Sequence, residues 1–185
     1  MGQSIADFLL GLLESFAVSK RVEAQVEVPV DVPPPSTDAK PPIDWTDPKC
    51  QVTDHFTVGE AITLHAWNRL ADATDDLTDN TKASIVHLCQ IMEEVRTILG
   101  CAINTHCIFR SVKYNQEVLK SLPNDVHSRG EAVDFDVNQT MTIDQAKEKL
   151  RPELERLGLR MEAGTKTWIH LDIHALGPSG REFTA

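Results

Sequence analysis

Three side chains in the second half of the chain have the types and spacing of a metal site. His127 precedes a tight turn, Asp134 lies in the strand predicted after that turn, and His170 lies in a later predicted strand. Two imidazole nitrogens and one carboxylate oxygen can bind Zn²⁺ and leave a coordination position open for water, as catalytic zinc requires. Spacing alone leaves a second interpretation open, in which His127 and Asp134 form only a structural hydrogen bond.

The two predicted strands each have one apolar face and one polar face. Residues 131–137 and 168–174 alternate with period two, so that every second side chain points into the core. The polar side of the second strand carries two histidines and an acid beside a tryptophan: Trp168, His170, Asp172 and His174. This clustering indicates a site. In the first strand, Asp134 is flanked by core residues, where a carboxylate is costly without a partner, and His127 could be that partner.

Four segments of the chain resemble the M15 family of zinc peptidases, which comprises D-Ala-D-Ala carboxypeptidases, phage L-Ala-D-Glu endopeptidases and vancomycin-resistance dipeptidases. Residues 127–134 (HSRGEAVD) resemble the family's HxxGxAxD motif, and residues 168–172 (WIHLD) resemble its W-x-H-x-D motif. Residues 55–61 are similar to the segment with which the family's domain opens. Residues 109–111 (FRS) together with Asn115 are similar to its YRS…N segment, whose arginine lies in the substrate groove.

The resemblance implies a zinc-dependent peptidase that hydrolyses peptidoglycan stem peptides. It implies that His127, Asp134 and His170 are the zinc ligands. It also implies that Arg110 holds a substrate carboxylate or the developing oxyanion. Further residues are expected to orient the ligands or to contact the substrate, namely Asp125, Asp172, Trp168 and Asn115.

Two positions depart from the family's pattern. Asp125 stands where the family usually has a serine, and it adds negative charge beside the site. Thr167 stands where many relatives carry the catalytic acid. Because threonine cannot act as a general base near neutral pH, the base must come from another position.

A predicted hairpin supplies that base. If residues 164–166 form the turn, Glu162 pairs with Trp168 and shares a face with His170, whereas Thr167 faces the other way. Glu162 is therefore predicted to be the general base that accepts a proton from the attacking water. The alternative, which depends on the register of the hairpin, is a solvated acid without a catalytic role.

The elements that position these residues predict an α+β fold, because helices come first and are followed by mixed strands and helices. A small mixed or antiparallel sheet with flanking helices is expected, as in the M15 and hedgehog-type peptidase fold. The sequence predicts a helix opened by Thr57, a helix at 81–99 ended by Gly100, strands at 101–109 and 131–137, a short helix at 114–121, a helix from Thr142 to Leu157, and a hairpin of 159–163 with 167–174.

The chain is predicted to have three parts: a docking arm at 1–32, a Pro-rich linker at 33–49 and the zinc peptidase domain at 50–185. Within the arm, residues 4–18 place apolar side chains at helical spacing, and residues 22–32 alternate with period two. An amphipathic helix and an edge strand before a stiff spacer favour docking on a partner protein by helix packing and strand addition. Packing of the arm on its own domain is the alternative.

Composition limits the partners and the compartment. The net charge of −10 opposes binding to a nucleic-acid backbone. No apolar run approaches the roughly 20 residues that a membrane span needs, and no basic residue precedes the apolar run at 8–13, which argues against a signal peptide. The cysteines lack CxxC spacing and are expected to be free thiols, with a Cys101–Cys107 bridge as a minor alternative.

The resemblance and the arm together favour a phage-encoded enzyme. Such a protein is expected on a virion or larger assembly, or in the bacterial host cytoplasm before release. The alternative function is a structural virion module or binding module that keeps the peptidase fold with little or no catalysis.

Overall fold

The structure is a computed structural model that describes residues 41–123, 125–138 and 141–184. The predicted docking arm and the linker up to residue 40 lie outside the described residues. The chain from Pro41 onward forms one compact unit. Ile43 and Trp45 pack against the core of this unit, so the folded domain begins before residue 50, where the sequence placed its boundary.

In the described part of the chain the strands form two sheets. The small sheet pairs β1 (Thr63–Leu64) with β2 (Arg69–Leu70). The large sheet contains β3 (Ile103–Cys107), β4 (Ala132–Val137), β5 (Arg160–Glu162), β6 (Ile169–Asp172) and β7 (Glu182–Phe183). Its spatial order is β3-β4-β6-β5-β7, in which β5 and β7 are parallel and the other neighbours are antiparallel.

Helices flank this sheet, which confirms the α+β class. They are α1 (Val58–Ile62), α2 (Asp79–Leu99), α3 (Val112–Tyr114), α4 (Ile143–Leu150) and α5 (Leu154–Leu157). The predicted capping boxes open α1 and α4, and a left-handed glycine ends α2. No helix of the described residues is long and apolar enough to cross a lipid bilayer.

Two of the predicted helices differ from the observed ones. The helix predicted from Thr142 to Leu157 is divided by a 3₁₀ turn at Arg151–Glu153, where Pro152 removes a backbone donor. The short helix predicted at 114–121 begins earlier, as α3, and continues as a π-helical turn over Asn115–Leu119.

The apolar faces of the sheet and the helices meet in one core. From α2 the core takes the predicted stripe, with Ile85, Leu88, Met92, Val95 and Leu99 all buried. Val133 and Phe135 of β4 are fully buried in the same cluster. The opposite face of the sheet is thereby left for polar side chains. The cysteines are free thiols, as predicted.

The early start of the folded unit leads to a stability prediction. A chain that starts at Pro41 is expected to keep the thermal midpoint of the full chain, because this unit contains its own core. A chain that starts at Lys49 lacks Ile43 and Trp45, which should cost about 1–3 kcal/mol and lower the midpoint by several degrees. Circular dichroism melts of both truncations measure this, and equal midpoints would contradict it.

Candidate metal centre

His127, Asp134 and His170 converge on the polar face of the sheet. Asp134 in β4 lies directly opposite His170 in β6. Asp134 Oδ1 lies 2.7 Å from His170 Nδ1, and Asp134 Oδ2 lies 3.3 Å from His127 Nε2. One nitrogen or oxygen from each of the three residues lies within 4.8 Å of the others. The buried triad could therefore hold a metal ion.

A tight turn brings His127 to the end of β4. The 3₁₀ turn His127–Arg129 ends at Gly130, which has a φ of 69° and donates its N–H to the His127 carbonyl at 3.0 Å. A Cβ on Gly130 would lie 2.6 Å from Ile85 Cγ1 and 2.9 Å from the Thr81 carbonyl oxygen. Glycine is required here because the backbone of Gly130 is in the left-handed region and because the turn packs directly on α2.

The outer nitrogen of each histidine faces an oxygen. His127 Nδ1 lies 3.0 Å from the Ile108 carbonyl oxygen, which can only accept, so Nδ1 must carry the hydrogen. His170 Nε2 lies 3.5 Å from Asp172 Oδ2. This arrangement directs His127 Nε2 and His170 Nδ1 toward Asp134, where a metal held by all three residues would lie. Metal-binding histidines are typically held in this way.

Asp172 is fully buried and is neutralised by a two-pronged ion pair. Arg160 donates from Nε at 2.7 Å and from Nη2 at 2.9 Å to the two carboxylate oxygens. Burial would raise the pKa of Asp172, but the contacts with His170 and Arg160 outweigh burial and lower it. The lowered pKa favours the charged form of Asp172, which can therefore orient His170, the role that the sequence predicts for it.

The electrostatics of the triad favour a proton on His170, which a metal would displace. Burial would raise the pKa of Asp134, but the hydrogen bonds with His127 and His170 outweigh it and hold the pKa well below its usual range. Burial would lower the pKa of His170, but Asp134 and Asp172 raise it to about 9. Metal binding at this triad therefore competes with protonation of His170.

The triad opens into a cavity of about 530 Å³. Most of the predicted functional side chains line it: Arg110, Asp125, Glu162, Trp168 and Asp172. Asn115, which was predicted to orient a ligand or to contact the substrate, does not line the cavity; it is fully buried, and its Nδ2 donates to the Pro123 carbonyl at 3.3 Å. The π-helical turn that begins at Asn115 directs this side chain into the fold rather than into the cavity.

The hairpin register differs from the predicted one by two residues. Arg160 pairs with Asp172 and Met161 pairs with Leu171, so Glu162 falls opposite His170 rather than Trp168. Because side chains alternate with period two, a shift of two residues keeps Glu162 on the His170 face. Thr167 lines a different cavity, together with Asp136 and Thr142.

Glu162 has a carboxylate that is free for chemistry. It lines the cavity that contains the triad, and it is partly exposed. Among the described residues, its side chain makes no hydrogen bond or ion pair. A carboxylate in this state at a cavity wall can accept a proton from a bound molecule.

Asp125, which stands where the M15 family usually has a serine, connects the cavity wall to the 3₁₀ turn His127–Arg129. Its Oδ2 accepts from Arg110 Nη2 at 2.9 Å, and its Oδ1 accepts from the Ser128 N–H at 2.9 Å. Arg110 Nη1 also lies 4.0 Å from Asp134 Oδ2. The acid at position 125 thus fixes the guanidinium beside the triad.

The sequence analysis gave no role to four residues of the cavity wall: Val126, Arg129, Arg160 and Phe183. Arg160 lies two residues before Glu162 in β5, so the period of the strand was a signal that could have found it. Phe183 reaches the cavity because β7 pairs in parallel with β5, and its ring centroid lies 5.9 Å from that of His170. No local pattern indicated that pairing.

No family model, curated protein or solved structure matches this chain.

Proposed function

We propose that this chain is a zinc-dependent peptidase that hydrolyses peptidoglycan stem peptides and has the M15-type fold. The observation that carries the proposal is a buried His–Asp–His triad beside an open cavity whose wall holds the free carboxylate of Glu162. A metal triad alone would suit a structural site. A free acid and an open cavity next to it suit catalysis.

The donor set fits zinc better than the hard cations. Two imidazoles and one carboxylate suit zinc, whereas calcium and magnesium prefer oxygen ligands throughout. His127, Asp134 and His170 would hold the ion, with the Ile108 carbonyl and Asp172 orienting the rings. A zinc ion in such a site lowers the pKa of a water molecule and polarises a peptide carbonyl.

The cavity wall supplies the remaining chemistry. Glu162 accepts a proton from the attacking water and can deliver it to the leaving amine. Arg110 is anchored by Asp125 on one side, and its guanidinium holds a substrate carboxylate or stabilises the developing oxyanion. Trp168 is 40% exposed at the rim and offers a flat apolar surface to the peptide.

The Arg110 guanidinium supports a substrate that bears a carboxylate. It lines the cavity, and Asp125 accepts a hydrogen bond from its Nη2 alone. A D-Ala-D-Ala terminus and an L-Ala-D-Glu bond both carry a free carboxylate close to the scissile bond. Bidentate arginine contacts recognise such groups. Stem peptides of peptidoglycan are therefore the substrate class that we propose.

Purified peptidoglycan tests the function. The zinc-loaded protein is expected to release peptides or single amino acids, a chelator should stop the release, and added zinc should restore it. Mass spectrometry of the products identifies the bond that is cleaved. Binding to peptidoglycan without release would instead favour a structural virion module or binding module. The absence of both binding and release would contradict both functions.

The N-terminal arm is proposed to attach the peptidase to a phage particle or a comparable assembly. A chain that starts at Pro41 should keep its zinc and its peptidase activity, because the triad and the cavity lie in the folded unit. It should fail to sediment with particles assembled in its presence, whereas the full chain should sediment with them. Normal incorporation of the truncated chain would place the attachment surface outside residues 1–40.

A further inference from the structure

Lys147 of α4 is a buried lysine whose hydrogen-bond acceptors among the described residues lie at the end of β5 and in the loop that follows it. The residue is 5% exposed. Its Nζ donates to the backbone carbonyls of Glu162 at 3.1 Å, Ala163 at 3.2 Å and Thr165 at 2.7 Å. It also donates to Thr165 Oγ1 at 2.8 Å. A buried ammonium is costly unless its donors are satisfied, and this loop satisfies them.

The loop is the connection between β5 and β6, residues 163–168. The backbone pairing of these strands ends at Met161 and Leu171. On its other side, β5 continues beside β7, where the Ala163 N–H donates to the Phe183 carbonyl at 2.8 Å. The carbonyl of Glu162 lies beyond the last β5–β6 pair, and it accepts from Lys147. The Lys147 ammonium thus donates hydrogen bonds to the backbone directly beyond the last β5–β6 pair.

The carboxylate of Glu162 depends on this backbone for its position. No hydrogen bond or ion pair from another described side chain holds it in the cavity. Its Oε1 lies against the loop, 3.9 Å from where a Cβ on Gly164 would stand. A change in the path of the loop would therefore move the carboxylate relative to the triad.

We propose that Lys147 is a positioning residue that fixes the β5–β6 loop and so holds Glu162 in the cavity beside the metal triad. The inference rests on the proposed function for the role of Glu162. The hydrogen bonds to Glu162 at the end of β5 and to Ala163 and Thr165 in the loop carry it, because they link α4 to the backbone on which the acid stands. Misplacing a catalytic group by about 1 Å can cost about 10²-fold in rate.

Lys147→Met removes the ammonium and keeps most of the apolar stem. We expect it to lower kcat on peptidoglycan by about 10-fold with zinc content unchanged, because Glu162 loses its fixed position. Lys149→Met is the matched control. Lys149 lies in the same helix, and its Nζ donates to the Leu99 carbonyl at 3.2 Å, away from the cavity. The Lys149→Met variant should therefore be as active as the unchanged protein.

A double-mutant cycle separates positioning from general damage. In a Glu162→Gln background, adding Lys147→Met should cause no further loss of kcat, because the residue acts through Glu162. A full additional loss of about 10-fold in that background would overturn the proposal, since it would show that the two residues act independently.

A second measurement does not depend on activity. Lys166 is exposed in the loop, so trypsin can cleave after it. Lys147→Met should accelerate this cleavage by about 10-fold and Lys149→Met should not, because only the first frees the loop. Unchanged cleavage would overturn the proposal. If no variant or parent cleaves peptidoglycan but trypsin still distinguishes the two lysines, the peptidase function fails and the role of Lys147 in holding the loop stands.

Thr165→Val covers the case in which Lys147→Met does not fold. Thr165 is 5% exposed, and valine has a similar shape but no hydroxyl acceptor. Because Lys147 keeps its three carbonyl partners, kcat should fall and cleavage after Lys166 should rise by only about 2- to 3-fold, the effect of one lost hydrogen bond. Unchanged values in both assays would overturn the proposal.

Discussion

Replacing His127 or His170 by alanine is expected to abolish stoichiometric zinc binding. Among the described residues the triad is the one group that could hold the ion, and each substitution removes one of its three candidate ligands. The loss of affinity should exceed the roughly 10- to 100-fold that follows from removing a residue that only orients a ligand. Metal analysis of the purified variants, followed by competition with a chromophoric chelator, measures the effect.

Two matched variants sharpen this test. His174→Ala should keep its zinc, because His174 Nδ1 contacts Arg129 and Glu131 rather than Asp134. Asp172→Asn should keep a zinc site that is weaker by about 10- to 100-fold, because Asp172 only orients His170. Full zinc occupancy in His170→Ala would transfer the ligand role to another residue and refute the assignment of the triad.

Replacing Glu162 by glutamine is expected to lower turnover by about 10²-fold or more while zinc content stays unchanged. Glutamine has the size of glutamate but cannot accept the proton that the attacking water must lose, and the loss of a general base is typically on this scale. Steady-state rates on peptidoglycan or an isolated stem peptide give the effect. Because the ligand triad is untouched, a normal metal content would assign the loss to proton transfer.

Thr167→Val is the control for this prediction. Thr167 stands where the M15 family usually has the acid, but it lines a separate cavity with Asp136 and Thr142 rather than the cavity of the triad. Its replacement should change turnover by less than about 3-fold, within the range of a distant surface substitution. A severe loss in Thr167→Val together with a mild one in Glu162→Gln would refute Glu162 as the base.

The faces of the strands and the ends of the main helices could be predicted because they depend on local patterns. The alternation around Asp134 and His170 placed both side chains on the polar face of the sheet, where the structure has them. Thr57 and Thr142 open helices through capping boxes that involve residues three positions apart. Such features are settled by near neighbours in the chain, so a single sequence contains them.

The exact partners across the sheet were decided only by the tertiary structure. Two registers satisfy the same alternation, one with Glu162 opposite Trp168 and one with Glu162 opposite His170. A shift of two residues between them leaves every side chain on its face. What selects between them is the packing of the whole sheet, including the bonds from Lys147 to the loop. The face of Glu162 was therefore predictable from the sequence, whereas its partner was not.

Contacts between distant segments lay equally beyond the sequence. Phe183 reaches the cavity through a parallel pairing of β7 with β5, and Arg160 finds Asp172 across the hairpin. Asn115 matched a motif but turned into the fold, because a π-helical turn at that point redirects its side chain. These positions follow from the summed burial of many residues, a quantity that no short pattern encodes. By itself, the sequence determined the grouping of His127, Asp134 and His170 and the face on which Glu162 lies, and the tertiary structure decided which residues hold them in place.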